Sequence, residues 1–365
     1  MSAFHPKRAL GAVNSYKLRP YHYTPRHKAR VMKSVDCRLF RHPLRLAAMQ
    51  RLTLNQPIPD ALRGACLALG NFDGFHLGHQ AVVGRAVMRG AHERKPVIVA
   101  TFDPHPVRYF KPDAAPFRLT TLDQRQRMFA AAGADAMLVF KFDGALASTT
   151  ADEFVSELLG RRIGASAVVT GDDFTFGARR GGNAAVLREL GGAHGITAET
   201  VAPVLLDGEA VSSSRIRDAL KAGNPGSATR LLTRPFAIEG VVIHGDKRGR
   251  ELGWPTANVE LGSYQRPAYG IYAVRVRLDA NGRDGGSEHD GVANLGVRPM
   301  FDPPKELLET VLFDFDGNLY GRTIEVALHH FIRPEMKFGG MEALKHQMDA
   351  DAAEARRLLS SSPRP

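Results

Sequence analysis

Two stretches of this chain gather groups that handle phosphate. The first is G-N-F-D-G-F-H-L-G-H-Q, residues 70–80. An apolar run ends at Gly70, a glycine-bearing turn follows, and a helical pattern begins near Leu77. A helix start attracts anions, because free N–H groups and the helix dipole point at them. Gly74 and Gly78 would let a phosphate approach the backbone. His76 and His79 are three apart, so their imidazoles share one helical face and could donate to a triphosphate. The spacing is neither G-x-G-x-x-G nor G-x-x-x-x-G-K-[ST]. A zinc reading of H-x-x-H lacks the Glu of H-E-x-x-H and an evident third ligand. Taken alone, the motif also fits a helix carrying two surface histidines.

The second stretch is G-D-K-R-G-R-E-L-G-W-P-T-A-N, residues 245–258. Gly245, Gly249 and Gly253 give backbone freedom, while Lys247, Arg248 and Arg250 bring positive charge. Thr256 and Asn258 offer neutral oxygens of the kind Mg²⁺ accepts beside waters and phosphates. By itself the loop could equally be a basic turn. Three further polar runs, T-F-D-P-H-P (101–106), G-D-D-F-T-F-G (171–177) and S-S-S-R-I-R (212–217), complete the inventory. The last also reads as an N-cap with surface arginines.

The elements that must position these groups fall into two grammars. Buried strands are expected at 66–70, 97–102, 137–140 and 167–171, alternating with helices at 79–93, 122–132, 151–161 and 184–190. Such alternation predicts a parallel sheet covered on both faces, with ligands at its carboxyl edge. A polar connection with a short helix is expected at 222–235. Beyond it, strands are expected at 236–244, 270–278, 290–295, 310–315 and 323–331, with a Gly- and Asp-rich hairpin loop at 279–290. A closing helix is expected at 341–359. That pattern predicts a small antiparallel barrel. The division expected is 1–48, 49–221, 222–235 and 236–360.

The 365 residues suffice for two cored domains. The net charge of +11 suggests nucleic acid at first sight, but residues 1–45 hold eleven Lys/Arg against the single acid Asp36. The basicity belongs to that segment, so nucleic-acid binding is not expected of the folded body. Residues 1–48, with Pro6, Pro20, Pro25 and Pro43 and no apolar period, are expected to be disordered. A basic arm, a targeting peptide and an upstream start compete as their origin. The last is preferred, with Met32 and Met49 as candidate starts. Two cysteines, Cys37 and Cys66, no apolar stretch of membrane-spanning length and no signal-like h-region point to a reducing, cytoplasmic setting without membrane contact.

The order of G-N-F-D-G-F-H-L-G-H-Q, T-F-D-P-H-P, G-D-D-F-T-F-G and S-S-S-R-I-R closely resembles the FAD synthetase module of bacterial bifunctional riboflavin kinase/FAD synthetases, which are H-x-G-H nucleotidylyltransferases. P-T-A-N (255–258), G-I-Y-A-V (270–274), G-V-A-N-L-G (291–296), L-E-T-V-L-F-D-F (308–315) and F-I-R-P-E-M-K-F (331–338) resemble the riboflavin kinase domain of the same family. The resemblance implies a Rossmann-like N-terminal domain and a β-barrel kinase domain. It implies riboflavin, FMN, FAD and ATP as partners and Mg²⁺ as cofactor. His76 and His79 would bind ATP phosphates, and Gly70, Asn71, Phe72, Asp73, Gly74 and Gly78 would belong to the nucleotide pocket. Asp173 would lie near the nucleotide, with Ser213, Ser214 and Arg217 on pyrophosphate. In the kinase half, Gly245, Lys247, Gly249, Arg250 and Gly253 would cradle phosphate and Thr256 and Asn258 would hold Mg-ATP. Glu309, expected at a strand's start, would be the base on the ribityl hydroxyl.

Departures are Ser214 where Thr is frequent, Met300 where Thr is common, and Asn318 where Asp often stands. Other readings carry less of the sequence. A monofunctional adenylyltransferase leaves the second phosphate loop unexplained. The D-F-D-G-N run at 314–318 imitates a phosphatase nucleophile loop, but too few residues follow it. Asp314 and Asp316 are then expected at a strand end and turn.

Overall fold

The computed structural model describes residues 49–244, 254–279, 286–298 and 305–362. The phosphate-loop residues Gly245, Lys247, Gly249, Arg250 and Gly253, together with Met300 and the segment 1–48, lie outside the described residues.

The first half is built on six parallel strands: β1 (Gln50–Thr53), β2 (Cys66–Leu69), β3 (Val97–Asp103), β4 (Ala136–Lys141), β5 (Ala167–Gly171) and β6 (Thr197–Val201), in the order β1-β4-β3-β2-β5-β6. Their helices are α1 (Leu77–Glu93), α2 (Pro106–Phe110), α3 (Leu122–Ala132), α4 (Gly144–Ser148), α5 (Ala151–Glu153), which runs on as a π-helical stretch (Phe154–Ile163), and α6 (Ala184–Ala193). Successive strand residues feed two separate cores. Leu67, Leu69, Ile98 and Leu138 pack with Phe154, Leu159 and Ile163 on one face. Cys66, Ala68, Val99 and Met137 pack with Val82, Val83 and Phe129 on the other. This period-2 division is what a sheet covered on both faces requires. Burial is also what pushes the Cys66 thiol up from its ordinary value. The chain leaves β2 toward β3 and returns across it to β5, so the switch point of the sheet lies between β2 and β5.

A small hairpin, β7 (Leu205–Leu206) with β8 (Glu209–Ala210), precedes α7 (Ser213–Lys221) and α8 (Pro225–Leu232). The short helix expected within the polar connection 222–235 is α8, and it is packed rather than solvated. Ala228, Leu231 and Leu232 of α8 are buried in the same cluster as the barrel core. The small and polar residues of 222–229 hide an apolar stripe at helical spacing.

The second half is antiparallel: β9 (Phe236–Val241), β10 (Ala257–Glu260), β11 (Gly270–Leu278), β12 (Glu288–Arg298), β13 (Lys305–Leu312) and β14 (Thr323–Arg333), in the order β10-β13-β12-β11-β14-β9. The amide of Ile243 donates to the Asn258 carbonyl at 2.9 Å, bringing the continuation of β9 against β10 and nearly closing a barrel. Inside lie Ile238, Val259, Tyr272, Val274, Leu295, Leu308 and Val326. The C-terminal helix Met341–Ser360 packs Ala352, Ala355 and Leu359 on the outer face against Ala273 and Phe313. Strand β13 begins five residues before the expected start at 310, because Leu307 and Leu308 pair with β12 and β10. Glu309 therefore sits in mid-strand, not at a strand's start. Asp314 follows the strand's end and pairs with Arg356 on the surface, and β13 is antiparallel, unlike the first strand of a phosphatase.

Candidate active sites

The turn after β2 is strained by design of its residues. Phe72 and Phe75 both have φ near +45°, at 49° and 44°, and Gly74 has φ of 89°. A Cβ on Gly74 would stand 2.9 Å from Leu119, so glycine is required there for both conformation and space. His76 is the N-cap of α1, and its Nδ1 accepts from the His79 amide at 3.4 Å. That leaves the proton on Nε2 and makes His76 a donor there. The two imidazoles stack with centroids 3.6 Å apart, and Phe72 meets His79 edge-on at 5.3 Å. The space a Gly78 side chain would take is filled by the His76 ring, 3.2 Å away. These are not surface histidines: His76 is 6% exposed. Burial holds it neutral down to about 4, with Arg217 and Arg234 adding to the effect and Asp73 opposing it. Burial, His76, Arg125 and Arg217 likewise hold His79 well below its ordinary value. The Nδ1 of His79 is buried without a partner, as is Oδ1 of Asn71. Orphaned buried polar atoms are costly and mark a place for a ligand.

Asp73 faces inward onto protein donors. Its carboxylate accepts from the amides of Leu119 (2.9 Å) and Thr120 (3.0 Å) and from Arg217 Nη2 at 2.7 Å. Arg217 also donates to the Phe117 carbonyl at 2.8 Å, and Ser213 Oγ donates to the Asp73 carbonyl at 2.9 Å. Asp73, Ser213 and Arg217 thus join the start of α7 to the histidine turn, while Ser214 stays exposed. Asp173 is exposed in the loop after β5, its Oδ1 folded over Gly171. All these groups lie at the carboxyl edge, around the switch point.

Sequence reasoning passed over Arg125 and left His105 without a role. Arg125 is 3% exposed and donates to the Asn71 carbonyl (3.1 Å) and Thr101 Oγ1 (2.8 Å). His105, held near 4 chiefly by burial, caps α2. With Arg108, Phe117, Arg118 and Asp73 they line a cationic cavity at this edge, which Ser263 of the barrel half completes. T-F-D-P-H-P marked the His105 loop, but nothing local marks Arg125, whose partners lie 24 and 54 positions away.

The second candidate site is on the outside of the barrel. Asn258 of β10, Glu309 of β13 and Asn294 of β12 are direct cross-strand partners and form one row. Their neighbours Ala257, Val259, Ala293, Leu295 and Leu308 point into the core, so the three polar side chains share the outer face. Both Asn258 and Asn294 have a buried Oδ1 with no partner. Asn294 joins this row although the sequence alone does not single it out, since only strand register reveals it. Thr256 lies two residues before Asn258, half-buried. Lys305 Nζ pairs with Glu260 at 3.0 Å. Among the described residues no three His, Cys, Asp or Glu cluster as a metal site. A hard cation taking neutral oxygens fits the unpartnered Oδ1 of Asn258.

Comparison with known proteins follows the same division. The family described as FAD synthetase matches residues 58–215, and that described as riboflavin kinase matches residues 232–359. A bifunctional riboflavin kinase/FMN adenylyltransferase of Pseudomonas fluorescens is 42% identical over 82% of this chain and 94% of its own length. That of Haemophilus influenzae is 39% identical over 82% and 96%. A crystal structure from Streptococcus pneumoniae, titled a macrolide-efflux protein, superposes with a TM-score of 0.74 at 29% identity, covering 84% of this chain and 99% of that one. Its title speaks of efflux, whereas no helix among the described residues here is long and apolar enough to cross a membrane. With both halves matched in order and relatives covered almost end to end, the chain belongs to the bifunctional riboflavin kinase/FMN adenylyltransferase family.

Proposed function

We propose that the two family activities divide between these two places, FMN adenylylation at the histidine turn and riboflavin phosphorylation on the barrel's outer face. The observation that carries the reading is the pairing of orphaned polar atoms with the chemistry each step needs: His79 Nδ1 and Asn71 Oδ1 at one site, Asn258 and Asn294 Oδ1 flanking Glu309 at the other.

At the barrel site, Glu309 takes the proton of riboflavin's terminal ribityl hydroxyl as that oxygen bonds to the γ-phosphorus of ATP. The bond to the β-phosphate oxygen breaks, giving FMN and ADP. Thr256 and Asn258 would hold Mg²⁺, whose chemistry there is neutralising phosphate charge. The backbone and side chains of Gly245, Lys247, Gly249, Arg250 and Gly253 would bind the phosphates, a reading that rests on the sequence. At the first site, an FMN phosphate oxygen attacks the α-phosphorus and pyrophosphate leaves, so no protein nucleophile is needed. Neutral His76 and His79 donate to the triphosphate, and the cavity of Arg108, Arg118 and Arg125 offsets its charge. Gly70, Asn71, Phe72, Gly74 and Gly78 shape the turn, Asp173 stands near the nucleotide, and Ser213, Ser214 and Arg217 form the pyrophosphate end. Residues 49–221 and 236–360 are the two domains, joined by 222–235, working in the cytoplasm without nucleic acid or membrane. Incubation with riboflavin and Mg-ATP, followed by flavin chromatography, should show FMN first and FAD after it. Absence of either product would refute the assignment.

A further inference from the structure

The histidine turn is not held by its own half alone. Asp73 takes its amide donors from Leu119 and Thr120, and the Gly74 amide donates to Thr120 Oγ1 at 2.9 Å. Segment 117–120 is thus the mould on which residues 73 and 74 are cast. The mould in turn is laid against the barrel half. The Arg118 amide donates to the Ser263 carbonyl at 3.0 Å, and the Gln265 amide donates to the Arg118 carbonyl at 2.7 Å. This is a one-residue parallel bridge between Arg118 and Tyr264.

Tyr264, 4% exposed, locks the bridge with its hydroxyl. It donates to Gln124 Oε1 of α3 at 2.9 Å and accepts from the Glu239 amide of β9 at 3.1 Å. Gln124 also donates to the Ala237 carbonyl at 3.1 Å. Arg127, one turn further along α3, pairs with Glu239 and Glu325. Leu119 shares an apolar cluster with Phe236, Ile238 and Tyr264. From the other side, Arg234 donates to the Gly74 carbonyl at 2.8 Å.

We propose that the kinase half supplies the brace that keeps the adenylyltransferase turn in its working geometry, with Tyr264 as a positioning residue acting through segment 117–120. Tyr264 touches neither reacting group. It fixes Arg118, hence the Leu119 and Thr120 amides, hence Asp73 and Gly74, and so the orientation of the His76–His79 pair three residues on. Catalysis by positioning is sensitive to displacements of about 1 Å, so slack in this chain reaches the chemistry. The inference rests on assigning adenylylation to the histidine turn.

Tyr264→Phe keeps the ring and its packing and removes only the hydroxyl. FMN adenylylation, measured with FMN and Mg-ATP supplied, should lose about 3- to 10-fold in kcat, the size of one or two lost hydrogen bonds. Riboflavin phosphorylation by the same preparation should stay within about twofold, as for a change remote from its chemistry. Amide hydrogen exchange should quicken at 118–120 while the barrel strands keep their protection. Thr120→Val cuts the chain one link nearer the turn, so the double variant should be no worse than the poorer single one. Equal loss of both activities, unchanged adenylylation, or strictly additive losses would each overturn the proposal. If Tyr264→Phe yields no folded protein, Arg127→Gln loosens the same seam from its more exposed rim and must show the same one-sided loss. His79→Ala separates the two readings. If it leaves FAD synthesis intact, the site assignment fails. If it abolishes FAD synthesis while Tyr264→Phe leaves it unchanged, only the brace fails.

Discussion

Replacing Glu309 by Gln separates a catalytic carboxylate from a structural one by the size of the loss. Gln keeps the shape of the side chain in the middle of β13, beside Asn258 and Asn294. Packing therefore survives, and what disappears is the negative charge and the proton acceptor. If Glu309 served only in a surface ion pair, its loss would cost about 0–1 kcal/mol and alter turnover by roughly fivefold at most. If it accepts the ribityl proton, removal should slow phosphorylation by about 10²–10⁴-fold, or about 3–5 kcal/mol of transition-state stabilisation. The two ranges do not overlap. FMN formed from riboflavin and FAD formed from supplied FMN are measured in one preparation by flavin chromatography, with circular dichroism confirming the fold. The expected result is a collapse of the first rate with the second unchanged. FMN formation within fivefold of the parent enzyme would remove Glu309 from the mechanism.

Three other outcomes are expected. His76→Ala and His79→Ala should each lower FAD synthesis by about 10²-fold or more, as for a lost charge-stabilising donor, while FMN formation persists; intact FAD synthesis in both would reduce the motif to a helix start. His76 is held near 4 against an ordinary 6.5, with His105 and His329 near 4 as well. Between those values the unfolded chain binds more protons, so stability is complete above pH 6.5 and falls toward pH 4, by about 3 kcal/mol for His76 alone; a melting temperature flat over that window would contradict the burial of neutral imidazoles. Asp73→Asn strands the nearly buried Arg217 guanidinium and should cost about 3 kcal/mol, lowering Tm by roughly 5–10 °C in calorimetry; a shift under about 2 °C would mean the carboxylate is not the hub its contacts suggest.

How far the sequence could be read follows the strength of local signals. Buried strands such as β3, with six consecutive buried residues, and the capped helix α3, with Thr121 and Gln124 as its capping box, declare themselves. Strand β1 does not, because Gln50–Thr53 lies at the sheet's edge with mostly exposed side chains. Nor does β6, whose Thr-Ala-Glu-Thr-Val is only half-buried. The histidine turn was legible because its chemistry is contiguous. Arg125, Asn294 and the barrel's contribution through Ser263 and Tyr264 were not, since their meaning arises only when residues far apart in the chain meet. Alternation in K-E-L-L-E-T-V-L is broken by paired leucines, which hid the true start of β13 and placed Glu309 wrongly at its beginning.

The shared apolar cluster has a consequence for how the protein is made. Leu119, Ile216 and Leu220 belong to the same buried group as Tyr264, Ile324 and Leu328. A chain emerging from the ribosome presents Leu119 well before Tyr264, Ile324 and Leu328 exist. At about 5–20 residues per second, some 200 residues separate Leu119 from Leu328, so the edge of α3 and the 117–120 loop would wait tens of seconds or less for their cover. Contacts of such separation also form slowly after release, because the intervening chain must be closed first. The parallel-sheet half can assemble its two own cores during synthesis, yet it stays sticky along one side until the barrel arrives. Growth temperature and chaperone supply should therefore govern the yield of active FAD-forming enzyme more strongly than they govern the yield of chain.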